Sequence, residues 1–307
     1  MMRSTKPLRG ILASVLLTLA AGCSGEPAEA PTGAKVFATP EEAASDLFDA
    51  IERDDKDEVV SIFGREYESR LVTADWEANR EERERIAAAG REKLVLDDQD
   101  GVVTLVLGDE DWPFPMPLVR EGKGWRFDTE EGLEELIDRR IGRNELAAIR
   151  IANAYVDAQI AYARADHDGD EVLEYAQRLA STADQQDGLY WESGPGEEES
   201  PFGPLVEGAE AYLETLDPGD PLRGYYFKIL TRQGENPPGG AYDYVINGNM
   251  IAGFALVAYP ADYGNTGIMT FVVNHRGVVQ QKDLGPFTGM DAYDPDDTWT
   301  VAEADEG

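Results

Sequence analysis

The chain has one cysteine and two histidines among 307 residues. A single thiol excludes a disulfide within the chain. The histidines, His167 and His275, stand in no zinc-type spacing. No GxSxG elbow supports a serine nucleophile, and the Gly239-Gly240 pair precedes a strand pattern rather than opening a phosphate-binding helix. Cationic residues are also scarce, with 27 Lys and Arg against 61 Asp and Glu, for a net charge of −34. Nucleic-acid affinity depends on cations that neutralise phosphates, so no nucleic-acid partner is expected. Nor is the chain expected to lie flat on an anionic lipid surface. Its acidity fits a solvated surface in a salty habitat, or a surface that meets cations. The apolar run Ile11–Ala21 is too short to cross about 30 Å of hydrocarbon, which takes roughly 20 residues, and no later segment offers a longer one.

That short run is nonetheless informative. It follows Arg3, Lys6 and Arg9 and ends in Leu19-Ala20-Ala21-Gly22, directly before Cys23. A charged start and a short apolar centre are the two leading regions of a secretory signal. The whole resembles a bacterial lipoprotein signal peptide with its lipobox, although Ala20 stands where such boxes most often carry Leu. The alternative is an ordinary cleaved signal with an incidental cysteine. The resemblance implies cleavage before Cys23, a diacylglycerol on its thiol and an acyl chain on the new amino terminus. Two or three such chains anchor a protein firmly where one does so marginally. Ser24 after the cysteine implies export to the outer membrane, facing the periplasm. The expected location is therefore the cell envelope. An acylated thiol would leave no cysteine nucleophile in the mature chain.

Residues 24–36 are small, carry Pro and Gly, and lack periodicity. They are expected to form a tether with a mean span of roughly 20 Å. The remainder is expected to be α+β, in two domains over residues 37–129 and 130–300, followed by an acidic tail at 301–307. In the first domain, Thr39 caps a helix that begins at Pro40, and Glu42 completes the capping box. Further helices are expected over Asp57–Phe63 and Trp76–Gly90. Strands are expected over Lys93–Leu96, Val102–Leu107, Pro115–Arg120 and Gly124–Asp128. Helices followed by a strand meander resemble a small NTF2-like cone.

A long helix is expected from Asp128, with Glu131 as its box partner and a break at Gly142. Its second half carries two apolar stripes, one through Ile149 and Val156 and the other through Ile151 and Tyr155, so it should pack on two sides. A short helix is expected over Glu171–Ala180, and an irregular stretch from Ser181 to Arg223. Strands follow at Tyr225–Leu230, Tyr242–Ile246, Met250–Ala258, Gly267–Val273 and Val278–Leu284. Asn247-Gly248 marks a tight hairpin. One long helix before an antiparallel sheet is similar to the periplasmic part of a pilin.

Several blocks carry a more specific likeness: DWPFPMPLV (Asp111 to Val119), GWRFDT (Gly124 to Thr129), RRIGRNELAAI (Arg139 to Ile149), DGLYW (Asp187 to Trp191), GYYFKIL (Gly224 to Leu230), GGAYDYVING (Gly239 to Gly248) and MTFVVNHRGVVQQKDLG (Met269 to Gly285). Together they resemble the bacterial family catalogued as domain of unknown function 2950, over about Phe37 to Trp299. The resemblance implies a secreted or lipid-anchored envelope protein. It transfers no activity and no catalytic residues.

Two constellations remain as candidates. Asp166, Asp168 and Asp170 alternate like the first half of a calcium loop, and Glu174 could complete an irregular oxygen cage. The loop's expected Gly and terminal Glu are Glu171 and Gln177 here, so the alternative is a polar turn whose Asp side chains cap nearby amides. Calcium is the only cofactor the sequence suggests. Tyr190, Trp191 and Phe202 fall in the irregular stretch. They either form a platform for a sugar or peptide, or pin a long loop to its own domain. With 61 acids, paired carboxylates for glycan hydrolysis arise by chance and carry no signal. The leading expectation is a non-catalytic module that is membrane-anchored and binds an envelope protein or glycan. The alternatives are a carboxylate-dependent hydrolase of envelope glycans and a calcium-binding structural protein.

Overall fold

The computed structural model describes residues 33–72, 76, 79–183, 185–193, 199–203 and 220–303. Cys23, the leader, most of the expected tether and the last four residues lie outside them. The described chain is α+β, with helices and antiparallel sheets.

The first half opens with α1 (Pro40–Glu52), whose first turn is capped as the sequence predicts. Glu42 N–H donates to Thr39 Oγ1 at 3.2 Å, and the Glu42 carboxylate reaches back to accept from Ala38 N–H at 2.8 Å. Next come α2 (Lys56–Phe63), a 3-10 turn (Arg65–Tyr67), α3 (Glu68–Leu71) and α4 (Arg80–Glu92). The last begins four residues later than the Trp76 start expected, and Trp76 instead stacks under the Arg83 guanidinium, 3.6 Å from its ring centre. The helices cover a sheet of β1 (Leu94–Gln99), β2 (Val102–Leu107), β3 (Trp112–Pro113), β4 (Leu118–Glu121) and β5 (Gly124–Phe127). The strands run in the order β1-β2-β4-β5, with β3 also on β2. Leu47, Ile62, Leu105, Leu107, Leu118 and Phe127 fill the apolar cluster between.

A single helix, α5 (Thr129–Tyr162), links this cluster to the next. At 34 residues it spans roughly 50 Å. Two expectations fail here. Asp128 makes no side-chain cap; instead the Thr129 hydroxyl donates to the Phe63 carbonyl at 2.6 Å, tying the helix start to α2. Gly142 does not break the helix. One glycine costs about 1 kcal/mol relative to Ala, and burial of Ile141 and of the Ala148–Tyr162 face outweighs that. Gly132 is required by close approach: a Cβ there would lie 2.8 Å from Met116 Cα.

The second half is built on α5. Its main sheet contains β6 (Tyr225–Leu230), β11 (Ala255–Pro260), β12 (Met269–Asn274), β13 (Gln280–Asp283) and β14 (Thr300–Val301). Two small ladders lie before β11: β7 (Arg232–Gln233) with β8 (Tyr242–Asp243), and β9 (Val245–Ile246) with β10 (Asn249–Met250). The main sheet runs β14-β13-β12-β11-β6, antiparallel throughout, which leaves β6 at one edge. The β9–β10 turn has Asn247 at φ 56° and Gly248 at φ 103°, as a two-residue hairpin turn needs. The helix packs on β12 and β11 through Ala148, Ile151, Ala152, Tyr155 and Ala158. Of the predicted stripes, Ile160 is 45% exposed.

The helix expected over Glu171–Ala180 is absent; the segment is extended and bridged at Tyr175 to Met250 and at Ala180 to Tyr190. Its main-chain groups are taken elsewhere. The Gln159 amide, fully buried in α5, accepts from Ala176 N–H and donates to Ala176 C=O, both at 2.8 Å. Tyr175 N–H donates to Met250 C=O, also at 2.8 Å. A buried polar side chain thus replaces the helical ladder.

Burial pushes the Tyr155, Tyr225 and Tyr244 phenols well above their ordinary range. Burial, with Glu174, Asp187 and Asp168 nearby, pushes Tyr162 up to about 12. The unfolded chain ionises these groups near pH 10 while the folded chain keeps them protonated, so the unfolded state binds fewer protons there. Their contribution is complete below about pH 10 and declines as pH rises through the folded values. Denaturant melts should show a falling midpoint above about pH 10; ionisation of these four tyrosines in the folded chain, resolved residue by residue from the more exposed ones, would contradict the burial.

Candidate functional site

The chain enters β6 through a tight turn. Arg223 and Gly224 adopt φ 51° and 78°. Leu222 and Tyr225 exchange both main-chain bonds, at 2.7 and 2.9 Å. Tyr225 therefore directs its N–H and C=O away from β11. Antiparallel ladders alternate, so Phe227 and Ile229 face the same way, while Tyr226, Lys228 and Leu230 bond to β11. The turn does not extend into a longer hairpin. Pro221 lacks an N–H, and among the described residues the ladder ends at Leu222.

Facing this edge is the segment Gln177–Ala183, held from its other side. Leu189 N–H donates to Arg178 C=O at 3.1 Å, Tyr190 N–H to Leu179 C=O at 2.9 Å and Ser181 N–H to Tyr190 C=O at 2.8 Å. The Asp187 carboxylate takes the Thr182 N–H and hydroxyl at 2.6 and 2.8 Å. Between the two walls lies a cleft of about 950 Å³. Ile151, Phe202, Leu222 and Phe227 give it apolar surface, and Gln177, Arg178, Ser181, Thr182, Asp220 and Lys228 give it polar groups. Half-buried Tyr226 and Tyr259 also line it, their rings 5.5 Å apart, and Phe287 stacks on Tyr259 at 3.8 Å.

The predicted aromatics divide around this cleft. Phe202 lines it but is 1% exposed, and its N–H donates to Leu189 C=O at 3.1 Å. Tyr190 and Trp191 are 8% and 9% exposed and belong to the same apolar cluster as α5. His167 lies 5.7 Å from the Trp191 ring and stacks on Tyr162 at 4.0 Å. All three positions pin the irregular stretch to the sheet and helix.

The acidic turn brings Asp166, Asp168 and Asp170 within 4.8 Å of one another, all exposed. Their oxygens serve the turn itself. Asp166 accepts from Gly169 N–H at 2.7 Å and Glu171 N–H at 2.9 Å, and Asp170 from Val172 N–H at 2.8 Å and Asn249 Nδ2 at 2.6 Å. The amides of Glu171 and Gly169 hold the Asp166 carboxyl below the usual carboxylate range. Glu174 is engaged elsewhere, accepting from Met250 N–H at 2.9 Å. His275 is wedged between the Tyr244 and Phe254 rings, where burial lowers its pKa, with Arg276 adding to the effect.

The strand Tyr225–Leu230 was legible in the sequence, but its place at a sheet edge was not. The Arg223-Gly224 turn marks where β6 begins, but its neighbours follow from strand order in the sheet.

No curated protein and no solved structure matches the chain. One family model does, over residues 34–302, which takes in both sheets and α5. The chain belongs to that family, described as protein of unknown function DUF2950.

Proposed function

We propose that the protein is a cell-envelope module, anchored through acylated Cys23, that binds another envelope component in the cleft beside β6. The observation that carries this reading is the cleft itself: about 950 Å³ of mixed apolar and polar lining beside a sheet edge, within the usual size range of binding sites. The leader before Cys23 and the tether of small residues support the location. A glycan hydrolase would call for two carboxylates facing each other across a cleft. Among the described lining residues there is one, Asp220.

A photo-cross-linking side chain at Tyr226 tests the reading in live cells, with Val95 on the exposed face of β1 as control. A discrete adduct from position 226 that is absent from position 95 is expected. No adduct at 226, or the same pattern from both positions, would contradict it.

A further inference from the structure

The cleft has a property that ordinary pockets lack: one wall is a β-sheet edge that is unpaired among the described residues. Phe227 and Ile229 present their N–H and C=O groups to it, and among the described residues no partner takes them. An edge of this kind is a template for another strand, which would lie about 4.8 Å away. Lysine on an edge strand commonly blocks such pairing. Lys228 does not cross this edge: its ammonium donates to Met290 C=O at 3.0 Å and to Asp291 at 2.9 Å. The flanking apolar groups, Ile151, Phe202 and Leu222, can receive alternate side chains of an added strand.

The cations of the lining are already paired, Arg178 with Asp187 at 3.5 Å and Lys228 with Asp291 at 2.9 Å. With Asp220 also in the lining, the cleft offers no net positive charge, and an added strand is selected by its apolar side chains rather than by charge.

We infer that the partner binds as an extended polypeptide strand added to the free edge of β6, pairing with the main chain of Phe227 and Ile229, with apolar and uncharged polar side chains alternating. This rests on the binding function proposed above and specifies its ligand. The recognition mode is strand addition, in which main-chain bonds give affinity and alternate side chains give selectivity.

Amide hydrogen exchange on the mature chain provides the test. In the free protein, Tyr226, Lys228 and Leu230 amides should be protected, and those of Phe227 and Ile229 should exchange fast. A capped hexapeptide alternating valine with threonine should then protect Phe227 and Ile229. Protection of both amides before peptide is added would mean that the edge is already paired within the chain, and would overturn the inference. So would binding of the peptide with no change at those amides. A version N-methylated at the valines should bind at least about tenfold more weakly, a difference of about 1.4 kcal/mol. Equal binding would overturn main-chain pairing. Ile229→Pro removes an N–H that the sheet does not use, but Ile229 also packs against the core, so the variant is compared with Ile229→Ala: both should melt at similar temperatures, and only the proline variant should lose the peptide about tenfold. Loss of the fold in the proline variant alone would count against a free edge. A Tyr226 adduct that proves to be glycan, with both amides still exchanging fast, would overturn strand addition while leaving the binding reading intact.

Discussion

Replacing Tyr155 by alanine should cost about 3–5 kcal/mol of unfolding free energy, the usual range for removing a buried aromatic ring. Tyr155 is fully buried in the C-terminal third of α5, edge-on to Phe254 with ring centres 5.6 Å apart. Its hydroxyl donates to Ala255 C=O at 3.1 Å and accepts from Gln159 Nε2 at 3.0 Å. One side chain thus joins the helix, the interior strand β11 and the amide that pins Ala176. Truncation leaves a cavity and removes partners from Ala255 and Gln159 together. Tyr155→Phe separates the two effects. It keeps the ring and should cost about 1–3 kcal/mol, the penalty for buried polar groups left unpaired. Denaturant melts of both variants, followed by near-ultraviolet signal, measure the difference. A loss below about 1 kcal/mol for Tyr155→Ala would contradict this packing.

The same residue shows how far the sequence could be read. The stripe through Ile151, Tyr155, Ala158 and Tyr162 is plain in the sequence and is buried, as are Ile149 and Val156 of the second stripe. Strands Val102–Leu107 and Tyr225–Leu230 were legible to the residue, because each is a bounded run of β-branched or aromatic side chains. The Thr39 cap and the Asn247-Gly248 turn were legible because their chemistry is local. What failed depends on contacts distant in sequence. Nothing near Ala176 reveals that Gln159 takes both its main-chain groups, so the pattern over Glu171–Ala180 read as helix. Nothing near Gly142 reveals that tertiary packing holds α5 straight through it. The cleft is illegible for a related reason. Whether β6 has one neighbour or two is decided by strand order in the sheet, which a list of strands does not contain.

Replacing Cys23 by serine should move the protein from the membrane fraction to the soluble fraction. The sequence and the described residues point to no other hold. The net charge of −34 opposes attraction to anionic lipid. Among the described residues, no helix is long and apolar enough to cross a membrane. The proposed anchor is the acyl chains, at about 0.8 kcal/mol per buried CH₂, on the order of 10 kcal/mol for each long chain. Losing two or three such chains removes the hold altogether, whereas losing a single chain from several would only weaken it. Fractionation of cells that express each form, followed by carbonate washing of the membranes, reads the outcome. A serine variant that stays in the washed membranes would show that something other than Cys23 holds the protein.

The most direct measurement is the intact mass of the protein extracted from its own membranes. The account predicts a chain that begins at Cys23, heavier than the bare polypeptide by a diacylglyceryl group and a further acyl chain. A chain with a free Cys23 thiol and the Met1–Gly22 leader still attached would contradict it.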